Sequence, residues 1–270
     1  MKIDFIVPTW NSEKTIRDCL ESIIKFGNPN KIIIVDNNST DDTANIANNL
    51  GCKILLDTKS LGSARLKGLK EAKTEWIGFV DSDVIISKEW HSRMISYISN
   101  DVGAIQGMKL SNYEKFRIIE NKKLKKLFKN GPYSLKEGDR GYTDNTIIKR
   151  DIALQADIES INAFEDFIIT QKVIEKGFKW LCVPVFSEHY EKWSTFIKKP
   201  AWHSSGLKYL LNNNKISQKE FFRFFVRYDL WYLKDGFESN DLYYFKTRLI
   251  QLYYHWLGLI QFEKLFKLER

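Results

Sequence analysis

Cysteine is scarce in this 270-residue sequence, and long apolar runs are missing. The three cysteines, Cys19, Cys52 and Cys182, lie far apart and have neither the spacing of a metal site nor the even number of a disulfide framework. No run of about 18 apolar residues is present, and the run that begins at Ile3 is too short for a secretory signal peptide. We therefore predict a protein of a reducing compartment, the cytoplasm, without a transmembrane span.

Charged and aromatic side chains are unevenly distributed along the chain. With 43% hydrophobic and 28% charged residues, the composition is that of an ordinary globular protein and excludes disordered and fibrous classes. The formal net charge of +8 arises in residues 109–150 and 192–270, and the second segment also holds 20 of the 38 aromatic residues. This shift predicts a main domain over residues 1–195 and a helical, basic, aromatic-rich extension over residues 196–270.

Strand-like and helix-like segments alternate over the first hundred residues. Short apolar segments predict four strands, at residues 3–7, 32–35, 53–56 and 76–80. Ser12 and the capping-box sequence 39–42 predict the starts of two helices, and residues 63–72 predict a third. This order is typical of an α/β fold with a doubly wound, mixed but mainly parallel sheet and helices on both faces.

Polar side chains follow three of the predicted strands at the point where each strand ends. These strand ends read Pro8-Thr9-Trp10-Asn11, Asp36-Asn37-Asn38-Ser39 and Asp81-Ser82-Asp83. Because ligands of doubly wound sheets bind beyond the carboxyl ends of the strands, the three polar ends together predict one binding site.

The Asp-x-Asp sequence formed by Asp81 and Asp83 directly follows a buried strand. Two carboxylates at such a turn can project toward one point, where Mg²⁺ or Mn²⁺ would join them to substrate phosphates. The alternative interpretation is structural, because acidic pairs also cap helices, and a helix is predicted after Ser87.

The ordered motifs of residues 2–190 resemble those of the family 2 glycosyltransferases, which have the GT-A fold. The first strand end is similar to P-x-aromatic-N, residues 35–41 to V-D-D-G-S-T-D, and residues 61–68 to G-x-A-R-N-x-G. Asp81-Ser82-Asp83 stands at the D-x-D motif, and residues 163–167 resemble the acidic E-D pair that begins a late helix. Two departures, Asn37-Asn38 for D-G and Leu66 for Asn, leave the preferred base and sugar open.

The resemblance implies a nucleotide-sugar site at the strand ends. Asp36 would accept a hydrogen bond from the nucleobase, Thr9 and Trp10 would pack against the base, and Arg65 would bind the diphosphate. The other residues implied for the nucleotide sugar are Pro8, Asn11, Glu13, Asn38, Asp81 and Ser82. From the residues alone, Asp36 could instead cap a helix, Trp10 could be an edge aromatic, and Arg65 could form a surface salt bridge.

The resemblance also implies a metal and a catalytic base. Asp83 would bind Mn²⁺ or Mg²⁺, Asp81 would bind the metal through water or face the ribose, and His189 would be a further ligand. Asp166 would act as general base on the acceptor hydroxyl, and Glu165 would orient it or contact the acceptor. The structural alternatives are a packed or surface histidine and acidic residues that favour the first turn of a helix.

Taken with the resemblance, the sequence predicts a metal-dependent, inverting glycosyltransferase of the hexosyl-transferring type. Its donor would be a UDP- or GDP-sugar, and its acceptor a glycan or a polyprenyl-linked molecule. A nucleotidyltransferase is one alternative, but it would need a Gly-rich first loop that carries Lys or Arg. The other alternative is a catalytically silent binding protein at a membrane.

The basic segments predict how the acceptor side is organised. Lysines of residues 122–129 precede a loop at residues 130–142 that could close over a diphosphate. Two helix-length segments, 221–232 and 242–260, combine aromatic and basic side chains, which predicts peripheral contact with the cytoplasmic face of a membrane. Packing on the catalytic domain is the alternative for these segments. No recognition motif accompanies the positive charge, so we expect no nucleic-acid partner.

Overall fold

Residues 1–266 are described in the computed structural model of the protein, and they fall into two units. The first unit consists of Met1–Ser160 and Glu165–Tyr190, and the second of Ile161–Phe164 together with the chain from Glu191 onward. The assignment of separate roles to residues 1–195 and 196–270 stays a prediction.

A mixed sheet organises the first unit. Its strands within residues 1–266 are β1 (Ile3–Thr9), β2 (Pro29–Asp36), β3 (Lys53–Leu56), β4 (Trp76–Val80), β5 (Val84–Ile85), β6 (Val102–Ser111), β7 (Tyr133–Ser134), β8 (Asn145–Lys149) and β9 (Lys179–His189). Their order is β3-β2-β1-β4-β8-β6-β9-β5, with β7 paired to β9. Strands β1 to β4, β6 and β9 run in one direction, and β5, β7 and β8 run against them. The predicted α/β class with a mainly parallel sheet is confirmed.

Helices join these strands. They are α1 (Ile16–Phe26), α2 (Thr43–Asn49), α3 (Leu61–Glu71), α4 (Trp90–Ile95), α5 (Glu114–Leu127), α6 (Arg150–Ala153) and α7 (Glu165–Glu175). Helix α1 buries Ile16, Leu20 and Ile23 in the hydrophobic core, at the spacing of one helix face. All residues of β4 are buried, as a continuous apolar run predicts for a strand covered on both faces.

Two predicted helix caps are wrong. Helix α1 begins at Ile16 without a side-chain cap, and the hydroxyl of Ser12 lies 2.9 Å from that of Ser82. Ser39 likewise does not cap α2, because its hydroxyl donates to Asp36 and the helix begins only at Thr43. The hydroxyl that the local pattern assigned to a helix end thus meets a distant residue in the case of Ser12 and the preceding strand end in the case of Ser39.

The described part of the second unit contains three long helices: α8 (Trp193–Asn212), α9 (Gln218–Glu238) and α10 (Leu242–Phe266). Helix α9 begins with a complete capping box formed by Ser217 and Glu220. A buried network joins α9 to α10, in which Asp235 accepts from Arg248 Nε at 2.7 Å and from the Tyr244 hydroxyl at 2.6 Å. None of the helices within residues 1–266 combines the length and apolar composition needed to cross a lipid bilayer.

Candidate active site

The carboxyl ends of β1 and β2 meet at one edge of the sheet. Thr9 lies opposite Asp36 in the parallel register, and its hydroxyl donates a 2.9 Å hydrogen bond to Asp36 Oδ1. Ser39 donates to the same carboxylate twice, from its backbone N–H at 2.8 Å and from its hydroxyl at 2.6 Å. A carboxylate has about four acceptor positions, so the position of Asp36 is fixed while it can still accept from a ligand. Its alternative role as a cap of α2 is wrong.

The turns after β1 and β2 are tied to each other. The backbone N–H of Asn11 donates to the Ser39 hydroxyl at 2.9 Å, and Asn11 Oδ1 accepts from the Thr40 N–H at 2.9 Å. Asn38 has a φ of +55°, a left-handed conformation that asparagine tolerates better than most residues. Asn38 therefore fits at the place where the resembling motif has glycine. Trp10, 44% exposed, lies on the same first turn.

Pro8 and Glu13 have structural contacts. Pro8 is a partly buried residue of β1, opposite Val35 in β2. The Glu13 carboxylate accepts from the backbone N–H of Asp42 at 3.4 Å, which ties the first turn to the start of α2. Their predicted roles toward the nucleotide sugar stay predictions.

The Asp-x-Asp turn brings Asp83 and His189 together. Antiparallel pairing of β5 with β9 places Val84 opposite His189, and His189 Nε2 lies 3.2 Å from Asp83 Oδ2. The Asp83 carbonyl accepts from the Tyr190 N–H at 2.8 Å, which fixes the turn from a second side. Neither aspartate caps α4, which Glu89 precedes, so the structural alternative for this motif is wrong.

Asp81 faces a different group of side chains. Its carboxylate accepts from Arg65 Nη2 at 3.2 Å. Burial raises the pKa of Asp81, and the carboxylates of Asp144 and Asp83 add to this effect, whereas Arg65 and Lys109 oppose it. Asp81 thus connects the predicted metal-binding pair, Asp81 and Asp83, to a larger cluster of charged side chains.

Arg65 is buried and joins two of the predicted site elements. It donates from Nε to Glu165 Oε1 at 3.0 Å as well as to Asp81, and its guanidinium stacks over Phe79. With only 2% of the residue exposed, the alternative interpretation as a surface salt bridge is wrong. Within the described residues, Arg65 Nη1 and Glu165 Oε2 are buried without a hydrogen-bond partner. Two unsatisfied polar atoms in one cluster indicate that a polar ligand or water belongs there.

Glu165 and Asp166 have different surroundings at the start of α7. Burial raises the pKa of Glu165 to about 7, and Asp166 contributes, although Arg65 and Arg140 oppose the shift. Both oxygens of Asp166 accept from Arg140, at 2.7 Å from Nε and 2.8 Å from Nη2. Asp166 Oδ1 also accepts from the Phe167 N–H at 2.8 Å. Of the three hydrogen bonds, Oδ2 accepts only the one from Arg140, so this oxygen keeps an acceptor position for a hydroxyl.

The charged cluster suits a divalent cation. It holds five carboxylates and three cationic side chains, which are Asp81, Asp83, Asp144, Glu165 and Asp166 with Arg65, Lys109 and Arg140. When all are ionised, negative charge exceeds positive by two. Carboxylate oxygen and imidazole nitrogen, the donors of Asp83 and His189, suit Mn²⁺ or Mg²⁺, whose adjacent ligands stand about 3 Å apart. Among the side chains that the structure describes, no cluster of three or more His, Cys, Asp or Glu is placed to enclose a metal. Substrate oxygens and water would therefore have to complete the shell.

Sequence reasoning missed three members of this cluster: Lys109, Arg140 and Asp144. Lys109 lies within β6, Arg140 lies in a loop, and Asp144 precedes a strand instead of following one. Because β8 is antiparallel to β4, its first residues reach the edge where β4 ends. A search of strand ends alone cannot find a residue that enters this edge from the start of an antiparallel strand.

Comparison with known proteins identifies relatives for part of the chain. Residues 4–155, more than half of the sequence, match the family model described as Glycosyl transferase family 2. The poly(ribitol-phosphate) beta-N-acetylglucosaminyltransferase TarS of Staphylococcus aureus strain Mu50 is 41% identical over an alignment of 99 residues, and the match covers 33% of this chain and 17% of TarS. A poly(ribitol-phosphate) beta-glucosyltransferase of Bacillus spizizenii is 36% identical over 100 residues, 33% of this chain and 16% of that protein. The chain thus matches less than a fifth of the length of either relative.

Solved structures share the fold over a larger part of the chain. The mannosyltransferase PcManGT from Pyrobaculum calidifontis, in complex with GDP-Man and Mn²⁺, has a TM-score of 0.64 at 14% identity and covers 93% of this chain and 73% of its own. Residues 1–349 of S. aureus TarS give a TM-score of 0.56 at 17% identity, with 98% and 92% covered. At these identities the likeness shows the fold alone, and it confirms the predicted GT-A-like architecture.

Proposed function

Because this chain belongs to glycosyl transferase family 2, we propose that it is a glycosyltransferase. It would move a sugar from a nucleotide sugar to a glycan or lipid-linked acceptor, with inversion and with help from a divalent metal. One observation carries the proposal: Asp36, the Asp83–His189 pair and the Glu165–Asp166 pair all belong to the first unit and lie with the polar strand ends. The nucleotide, the metal and the acceptor would each have its own group of side chains there.

The donor would lie across β1, β2 and β4. Asp36 would accept from the nucleobase, beside Thr9 and Trp10, and Arg65 would direct its unsatisfied Nη1 toward the diphosphate. The mannosyltransferase of similar fold is in complex with GDP-Man, whereas a glucosyl-3-phosphoglycerate synthase of Mycobacterium tuberculosis, at a TM-score of 0.52 and 15% identity, is in complex with UDP and Mg²⁺. Both UDP- and GDP-sugars therefore remain in the proposal.

Asp83 and His189 would hold Mn²⁺ or Mg²⁺, with Asp81 next to the metal-bound water or the ribose. A divalent cation there would stabilise the negative charge that grows on the diphosphate leaving group. The Asp83 carboxylate and the His189 imidazole, 3.2 Å apart, support this assignment. These residues would also keep the diphosphate fixed while the bond to the sugar breaks.

Asp166 would take the proton from the acceptor. The acceptor hydroxyl oxygen would bond to the anomeric carbon, the bond from that carbon to the diphosphate oxygen would break, and the nucleoside diphosphate would leave with the electron pair. The hydroxyl proton would pass to Asp166 Oδ2, which has an acceptor position beside its hydrogen bond from Arg140. Glu165 would keep Arg65 in place through their 3.0 Å contact.

A screen of nucleotide sugars tests the donor assignment. We expect one UDP- or GDP-sugar to raise the melting temperature of the protein with MnCl₂ but not with EDTA. Asp36→Asn should weaken that binding at least about tenfold, because the amide replaces an acceptor with a donor. Asp42→Asn, in the exposed turn before α2, is the matched control and should bind normally. Equal donor affinity in both variants would remove Asp36 from the site.

The acceptor is proposed from the names of the relatives. Both poly(ribitol-phosphate) transferases act, by name, on a polymer of a polyol phosphate. A carbohydrate-like polymer of this kind, free or linked to a polyprenyl lipid, is the acceptor class that we propose.

Peripheral membrane contact is proposed for α9. Its exposed side chains Phe222, Val226, Leu230 and Phe237, 48–71% accessible, share one helix face. Basic residues Arg223 and Lys234 flank this face at helical spacing, so it suits an anionic bilayer at the cytoplasmic face of a membrane.

The protein should therefore sediment with anionic liposomes, and less of it should do so as salt concentration rises. A variant with serine in place of Phe222, Leu230 and Phe237 should not bind the liposomes, because these substitutions remove the apolar face and keep the net charge. Serine at Ile24, Leu56 and Ile118, exposed apolar residues of the first unit, is the matched control. Binding that survives the α9 substitutions would place the membrane contact elsewhere.

A further inference from the structure

Lys109 and Asp144 form an ion pair that the proposed function does not use. Lys109 belongs to β6 and Asp144 immediately precedes β8, the strand between β4 and β6. The Lys109 ammonium contacts Asp144 Oδ2. The Asp144 carbonyl accepts from the Asp81 N–H at 3.3 Å, which fixes the pair beside the Asp-x-Asp turn.

The pair is accessible but not fully solvated. The exposed side-chain fractions are 21% for Lys109 and 14% for Asp144, intermediate between the buried Arg65 and a surface salt bridge. The charges of Lys109 and Asp144 act in opposite directions on the pKa of Asp81, so both lie within electrostatic reach of this residue. A polar ligand at this edge would therefore meet both a donor and an acceptor in surroundings that strengthen hydrogen bonds.

The other two cationic side chains of the cluster each form two hydrogen bonds to carboxylates. Arg65 is divided between Asp81 and Glu165, and Arg140 is bidentate to Asp166. Lys109 has a compact ammonium with three donors on a flexible stem, and Asp144 has a carboxylate with about four acceptor positions. Several donor and acceptor positions on these two groups can therefore meet the hydroxyls of a ligand.

The order of the strands indicates which part of the donor would reach this pair. The nucleobase is proposed at β1 and β2, and the diphosphate and metal at the end of β4. Strand β8 comes next in the sheet, with Asn145 opposite Val80. Arg140, four residues before Asp144, holds the proposed base Asp166. The transferred sugar must lie between the diphosphate and the base.

We propose that Lys109 and Asp144 bind hydroxyl groups of the transferred sugar and thereby select it among nucleotide sugars with the same nucleotide. The inference rests on the proposed function and extends it to sugar specificity. The Asp144 carboxylate can accept from one hydroxyl while the Lys109 ammonium donates to the neighbouring hydroxyl. An epimer with one hydroxyl reversed would leave one of these half-buried charged groups without its partner, and this mismatch gives discrimination.

Binding measurements on the full-length protein test this role. The probes are UDP and GDP, and their glucose, galactose, mannose and N-acetylglucosamine derivatives, each with MnCl₂. We expect Asp144→Asn and Lys109→Met to lower the affinity for the free nucleoside diphosphate far less than the affinity for the preferred nucleotide sugar. The affinity for the preferred nucleotide sugar should fall at least about tenfold, and the preference between epimers should shrink accordingly.

Asp101→Asn and Lys179→Met are the matched controls, because that ion pair joins β6 and β9 at the opposite end of these strands. They should change neither affinity nor epimer preference. Nucleoside diphosphate binding shows that each variant is folded. If one of the two site variants fails to fold, the other still tests the inference. Unchanged epimer preference in both site variants would overturn this inference but not the proposed function. If the unmodified protein binds no nucleotide with metal, the proposed function fails and this inference with it.

Discussion

Replacement of Asp166 by asparagine is expected to slow sugar transfer at least about 100-fold and to leave nucleotide-sugar affinity within a few fold. Asparagine cannot take the acceptor proton. It keeps one oxygen that can accept from the Phe167 N–H and from Arg140, so the start of α7 should persist. Initial transfer rates with saturating donor, together with donor affinity by calorimetry, measure the two effects separately.

Glu165→Gln is the matched comparison for this experiment. The pKa of Glu165 is raised to about 7, close to the best value for a base at neutral pH. If Glu165 were the base, the rate would rise with pH up to about 7, as its carboxylate forms, and Asp166→Asn would transfer at nearly the normal rate. Loss of transfer in Asp166→Asn with donor binding intact supports Asp166 as the base.

Replacement of Asp83 by asparagine is expected to abolish the part of nucleotide-sugar binding that depends on Mn²⁺. The substitution removes the anionic ligand that would face the metal beside His189. The fold should be retained, because the side chain is 31% exposed and the hydrogen bond to Tyr190 uses the Asp83 backbone carbonyl. Calorimetric titration of the donor with MnCl₂ and with EDTA measures the difference.

Asp18→Asn provides the control for Asp83→Asn. Asp18, on α1, lines the same small cavity as Asp83 but lies outside the proposed metal site. It should therefore retain metal-dependent binding. If Asp83→Asn binds the donor with unchanged metal dependence, Asp83 is not a metal ligand.

The strands could be predicted where one short segment contains all the necessary information. Residues 53–56 and 76–80 form β3 and β4 with the predicted bounds, because each is a local apolar run. The edge where the polar ends meet followed from the strand order, since parallel strands bring their carboxyl ends together. Helix starts were less predictable, because a serine hydroxyl can bond to a distant residue as well as to its own helix.

The sequence by itself determined the α/β class, the polar strand ends and the chemical types gathered at the candidate site. Only the tertiary structure decided which charges meet. Arg65 is 100 residues from Glu165, and Arg140 is 26 residues from Asp166, so no local periodicity records these pairs. The antiparallel insertion of β8 between β4 and β6 likewise brings Asp144 to Asp81 and Lys109. Buried charges need partners, and the sheet order determines which partners lie within reach.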